Sequence, residues 1–524
     1  MLLLALFAAL LGLAAWHHVG RGSGSAATAR RQAEARVPRP QPRTSNPSPL
    51  PSPAETLHAE TLHAESPTRP REHEGPSRDS RATPPQTRGS SLDDADPCAE
   101  APEEHLDRLD EIVNARLSEL EDRGRLVLSR ATSSPALRDA LLGFFSPGVP
   151  DLAVVARAER APDRMVDGFD HAAAIALGIA VRVHRGGQDP SAAIALSARL
   201  APSDPAPFVL EALRAMNAHD PVRVRSALSE AFARDREEPS IAIELAYSLL
   251  RTTELARADE AVGAYLAVYP SSLVGRRLRS LITRRLEGVG EASLLRGRGV
   301  SVLSSRVLPA GMQRELLGWA ADALDAAARA TDLPRREELT VLVHRDHASL
   351  LRAMCGASWT LAAFDGVLHV DAEVWTDARI SPHEREAVVR HECMHATLHN
   401  EAWNAPFWLD EGVAQWFAPR ADQETSSSLA HLVRDHTFIP FMSLNGAFME
   451  IEDPSDARLA YHQSLAMIEW LVSVRGARGV PELIQLLRAR PDAATTDPAA
   501  VLTEVGRRRF DGEVMLSFLS ARSR

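Results

Sequence analysis

The chain has 524 residues, enough for two or three domains that each bury a core. A quarter of the residues are charged, 45% are hydrophobic and the formal net charge is -11, so no broad basic surface for nucleic acid is expected and partners should be proteins or peptides. All 59 basic residues are arginine, which removes lysine Schiff-base and lysine general-base chemistry. The three cysteines, Cys98, Cys355 and Cys393, have no C-x-x-C spacing and argue against a disulfide framework or a thiolate zinc site.

The first 20 residues carry LLLALFAALLGLAAW, an apolar run that is short for a membrane span and reads as a targeting segment or retained anchor. That places the protein in the cell envelope, membrane-anchored or exported. The arginines from Arg21 to Arg43 follow the run, which by the positive-inside tendency opposes export and leaves orientation open. Residues 21–100 are rich in Pro, Ser, Arg and Thr and lack apolar periodicity, the composition of a disordered tether. Its histidines, His58, His63 and His73, read as solvated low-complexity residues.

Residues 101–295 have helical periodicity. Leu106, Leu109, Ile112, Val113, Leu117 and Leu120 mark one amphipathic helix. Beyond it Ala193-Ile194, Ala227-Leu228 and Ala261-Val262 recur every 34 residues, as do Gly178, Ala212 and Ala246 one helix earlier. Small residues at such places let paired helices approach closely, and the stretch 165–285 resembles tetratricopeptide repeats. It departs from that pattern in having Thr253 where a glycine usually separates the helices, and in its few aromatics. The resemblance implies a surface for a protein partner.

Residues 296–524 change character. GVSVLSSRVL alternates as a strand, GMQRELLGWAADALDAAARA is an amphipathic helix, and ELTVLVHR and AAFDGVLHVD read as further strands. Ser381-Pro382-His383-Glu384 then opens a helix with a cap, a first-turn proline and a capping box. That helix carries HECMH, residues 391–395. His391 and His395, four residues apart, are separated by about 40° beyond a full turn and about 6 Å of rise, so both imidazoles leave one face and can grip one ion. Two neutral imidazoles suit Zn²⁺, and a catalytic zinc needs a third protein ligand. His399 lies about 12 Å along the axis from His391, too far to share that ion, and suits the helix C-terminal dipole instead. The pattern H-E-x-x-H-x-x-G-x-x-H fails at Leu398 and Glu401. Glu411, in PFWLDEGVAQWF, is on a second helix whose Trp408, Leu409, Val413 and Trp416 face the first. Asp410 is its rival as ligand, turned about 100° away.

HECMH followed by WLDEGVAQWF, with strand-helix-strand before and AYHQSLAMIEWL after, resembles the gluzincin zinc metallopeptidases, and within them the peptidase MA-like domains. The fold so implied is multidomain: an α-helical tetratricopeptide-like repeat domain followed by an α+β zincin-like metallopeptidase domain. His391, His395 and Glu411 would then be the Zn²⁺ ligands and Glu392 the general base that hydrolyses a peptide or protein substrate, with AAFDGVLHVD as the edge strand that pairs with it. Gln415 stands where thermolysin-like enzymes have an acidic residue that orients a ligand histidine, so that orientation must come from elsewhere. Gluzincins supply a Tyr or His from a later helix to the carbonyl oxygen. Tyr461 and His462 are adjacent there, and Tyr461 is nearer the apolar face of Leu459, Leu465, Ile468 and Leu471. The competing expectation is a zinc-binding repeat scaffold without turnover.

Overall fold

Side-chain caps and first-turn prolines start most of the helices, and their apolar faces decide how they stack. The computed structural model describes residues 108–130, 133–146, 151–166, 168–354, 362–399, 405–418, 438–445, 454–490 and 496–522. The apolar run, the tether, Cys98 and Cys355 lie outside the described residues. No helix among the described residues is long and apolar enough to cross a membrane.

The helical region opens with α1 (Arg108–Ser129), α2 (Pro135–Phe145) and α3 (Ala153–Glu159), and a two-residue hairpin, β1 (Met165–Val166) with β2 (Phe169–Asp170). Three helix pairs follow: α4 (His171–Arg185) with α5 (Ser191–Leu200), α6 (Ala206–Asn217) with α7 (Pro221–Arg234), and α8 (Pro239–Leu250) with α9 (Leu255–Val268). A single helix, α10 (Leu273–Val289), closes the series. Asp170, Asp220 and Ser272 cap α4, α7 and α10 through bonds to backbone N–H groups two or three residues on. The residues that recur every 34 positions are all buried at the pair contacts. At Gly178 a Cβ would fall 2.5 Å from the Phe144 ring, so that position must be small. Helix α1 lies across the first helices of the pairs, α4, α6 and α8, and is pinned there by Arg116, which pairs with Asp204 at 2.9 Å.

The α+β region begins at β3 (Ala292–Gly297), a few residues ahead of the expected boundary at 296 and antiparallel to β4 (Val300–Ser305). Helix α11 (Ala310–Thr331) carries the chain to β5 (Leu339–His344), parallel to β4, and α12 (His347–Met354) follows. AAFDGVLHVD is a hairpin and not one strand: β6 (Ala362–Phe364) turns at Asp365 and Gly366 into β7 (Leu368–Asp371). Gly366 has φ 99°, and its Asp-Gly dipeptide is the turn signal that the strand reading passed over. The sheet order is β3-β4-β5-β7-β6, so β6 is an edge and β7 is interior.

Every residue of β5 is buried because both faces of the sheet are covered. Val341 and Val343, with Leu368 and Val370, meet α11 and the helix that bears HECMH. The opposite face meets the helical region, partly through Leu303 and Leu342 and partly through buried polar groups. Arg285 of α10 is buried and pairs with Asp365, which accepts from His369 Nε2 at 3.1 Å. With its Nε2 proton so placed, His369 presents Nδ1 as an acceptor to His344 Nε2, 2.8 Å away. Arg225 and Glu338, 2.6 Å apart, make a second tie between the two regions at the surface. Helix α13 (Ala372–Thr376) leads into the site helices, and after them come Pro454–Arg475, Gly479–Arg488, Pro498–Gly506 and Gly512–Arg522, a helical bundle with its core around Trp408, Ile468 and Leu483.

Burial lowers the pKa of both His344 and His369. A depressed value means that stability is intact above the unfolded pKa, about 6.5, and is lost as pH falls toward the folded one, by up to about 1.4 kcal/mol per pH unit for each group. Between about pH 7.5 and 5.5 the unfolding midpoint of metal-free wild type should therefore shift downward relative to that of His369→Gln, a comparison from which every other titrating group drops out. Parallel pH dependence in the two proteins would contradict a neutral, buried pair.

Candidate metal centre

The motif helix is α14 (Pro382–Leu398). Ser381 Oγ accepts from Glu384 N at 3.2 Å and Glu384 returns the bond to Ser381 N at 2.6 Å, the capping box that the sequence carries. The residues between the histidines fix its rotation. Cys393 is fully buried with Sγ 3.7 Å from Ala320 O on α11, and Met394 packs on the other side with Trp408 and Leu409. Two faces being held, the remaining one carries His391 and His395.

Helix α15 (Phe407–Phe417) packs against α14, its Trp408, Leu409 and Val413 buried. It is pressed more closely still against α16 (Pro454–Arg475). At Gly412 a Cβ would come 2.7 Å from Ser464 O, so glycine is what permits the two backbones to meet. Gln415 Nε2 reaches across that contact to Tyr461 O at 2.9 Å. The close approach sets Glu411 of α15 beside Tyr461 of α16.

His391 Nε2, His395 Nε2 and Glu411 Oε2 converge, separated by 3.0, 3.4 and 3.6 Å. Ligand atoms about 2.0–2.1 Å from one tetrahedral zinc lie about 3.3 Å apart, so the triangle has the size that ion requires. Glu411 Oε2 is buried and has no hydrogen-bond partner among the described residues, an acceptor left for something that is not a protein donor. Glu392 is buried next to the triangle, and burial raises its carboxyl above the ordinary value. These residues fit zinc.

Asp410 does not join the triangle. Its Oδ1 accepts from His395 Nδ1 at 2.8 Å and its Oδ2 from His399 Nε2 at 3.0 Å. Burial works to raise the Asp410 carboxyl, but the two imidazoles outweigh it and hold it well below the carboxylate range. Burial likewise opposes a charge on His395, yet Asp410 and Glu411 push its pKa up to about 10. His399 is the C-cap residue of α14, at the helix C-terminus where the sequence puts it, and its ring has a further partner in Asp410. Asp410 points about 100° from Glu411 on the helix, and that angle turns it to the second nitrogen of His395.

Tyr461 lies against the site, its hydroxyl hydrogen-bonded to the Glu411 carboxylate. The charge of Glu411, then burial, raises the phenol well above its usual pKa, so it stays protonated as a donor. His462 is buried and belongs to neither cluster of metal-capable side chains among the described residues. Those clusters are His391, His395 and Glu411, and His395, His399 and Asp410.

No family model matches the chain, and no curated protein matches it.

Gly412→Ala should cost about 1–3 kcal/mol of stability, because the methyl meets backbone that cannot rotate away. An unfolding midpoint equal to that of the unsubstituted protein would mean that α15 and α16 are not in backbone contact.

Proposed function

We propose that the protein is a zinc-dependent peptidase of the gluzincin type, joined to a tetratricopeptide-like domain that binds a protein partner or substrate. The observation that carries this reading is the ligand triangle with its one unpartnered carboxylate oxygen, backed by a carboxylate on the far nitrogen of His395. His391, His395 and Glu411 would hold the ion. When bound, Zn²⁺ polarises a carbonyl and lowers the pKa of water to about 7.

The chain's own residues do the rest. Glu392 takes the proton of the attacking water on its carboxylate and delivers it to the leaving amine, and its burial favours the protonated intermediate state of that cycle. Tyr461 keeps its proton on Oη and donates it as a hydrogen bond to the carbonyl oxygen as negative charge builds there. The free edge of β6 offers backbone groups to an extended substrate. The apolar residues 2–16 would target or anchor the protein in the cell envelope.

One observation favours a second reading, a zinc scaffold without turnover: the Tyr461 hydroxyl is already engaged by Glu411. Cleavage of an unstructured protein that stops when a chelator is added separates the two.

Glu392→Gln should leave zinc content near that of the wild type and lower hydrolysis by about 10²–10⁴-fold, since the amide keeps the volume and cannot accept a proton. Glu411→Ala should lose zinc. Undiminished turnover in the first variant, or full metal in the second, would remove the assigned roles. Tyr461→Phe should lower kcat with little change in KM or zinc content. Were His462→Ala to give that result and Tyr461→Phe to be silent, the donor would be His462.

A further inference from the structure

Asp410 holds two histidines of one helix, and only one of them faces the ligand triangle. The other, His399, has its ring 6.4 Å from the ring of Phe364, on edge strand β6. Above Phe364 stands the guanidinium of Arg336, 5.2 Å from the ring centre. Arg336 donates to Ala396 O on α14 at 3.2 Å and to Gly366 O in the β6–β7 turn at 3.3 Å. The end of the motif helix is thus fastened to the edge hairpin, and His399 sits at the fastening.

We propose that Asp410 and His399 form a positioning pair: His399 fixes the Asp410 carboxylate, Asp410 accepts from His395 Nδ1 and so aims its Nε2 at His391 and Glu411, and Phe364 seats His399 from the edge strand. The proposal rests on the zinc reading above. A carboxylate bonded by one histidine alone can rotate about its own side chain, whereas two donors on opposite oxygens fix its plane. It also supplies the orienting carboxylate that Gln415 cannot, from the residue just before the third ligand. The same three residues are near enough to hold a second ion. Their separations of 2.8 and 3.0 Å are those of direct hydrogen bonds, and a second ion would leave His395 bridging two cations.

The test is zinc affinity, measured on the full chain by competition with a chromogenic chelator, with no substrate present. Asp410→Ala should weaken binding by about 10–100-fold, the range for loss of a group that orients a metal ligand. His399→Ala should weaken it by about 10-fold, and His399→Gln, whose amide can still donate to Asp410, should recover most of that. Phe364→Ala should weaken binding alone and add nothing to His399→Ala, as residues acting in series do. The metal-free His399 variants should keep an unfolding midpoint near that of the wild type, whereas Asp410→Ala and Phe364→Ala, which strand the buried imidazole of His395 and remove a buried ring, should lower it, and their zinc affinity is read well below their own midpoints. Wild-type affinity in His399→Ala, no recovery with glutamine, or additive losses with Phe364→Ala would overturn the pairing while leaving the zinc reading intact. Two zinc ions per wild-type chain, one of them lost in His399→Ala, would overturn it in favour of a second metal site. A wild-type chain that takes up no zinc would instead overturn the zinc reading itself.

Discussion

A guanidinium withdrawn from water must find a carboxylate, and the buried pair of Arg285 and Asp365 meets that demand where the helical region touches the sheet. Breaking such a pair from one side typically costs about 3–5 kcal/mol, because the remaining charge is stranded. The pair therefore fixes which part of α10 lies over which part of the sheet. Asp365 is also the turn residue of the β6–β7 hairpin, so the charge that locks the two regions together sets the position of the edge strand. Leu250 contributes its carbonyl to the same guanidinium at 2.9 Å, which ties the last full helix pair into the junction. His391 and His395 stand beyond the opposite face, on a helix that packs against the same strands.

Much of this was legible in the residues. The capping box of α14, the apolar spacing of Trp408, Leu409 and Val413, the alternation in β4 and the β-branched run of β5 are local signals that local physics obeys. The 34-residue recurrence announced stacked helix pairs, because a helix hairpin cannot bury its apolar face alone. What escaped was set by contacts distant in sequence. Ala292–Gly297 has an exposed face and an arginine, and becomes a strand through pairing with β4. The break inside AAFDGVLHVD was written as Asp-Gly but hidden by the apolar residues on either side. The two bonds of Asp410 could not be read without the crossing of α14 and α15, since spacing along one helix says nothing about the neighbour's nitrogen atoms.

The site concentrates its charges economically. Two carboxylates stand in adjacent positions of one helix, and the helical twist sends them to different nitrogens: Glu411 toward Nε2 of both His391 and His395, Asp410 toward Nδ1 of His395 and Nε2 of His399. Each imidazole of that group is held by an acid, and the acids are kept apart by the ring of His395. The arrangement depends on α15 being clamped from both sides, by α14 through Met394 and Trp408 and by α16 through the backbone contact at Gly412.

Helix α1, lying across the first helices of three successive pairs, has a consequence for recognition. In stacked helix pairs that row is the natural cradle for an incoming peptide, and here a segment of the same chain already rests in it. A short connection to α2 keeps this segment at roughly millimolar effective concentration, so a visitor of modest affinity is outcompeted by the resident. Recognition through the row would need a ligand strong enough to evict α1, and anything weaker is left to the outer faces of the helices.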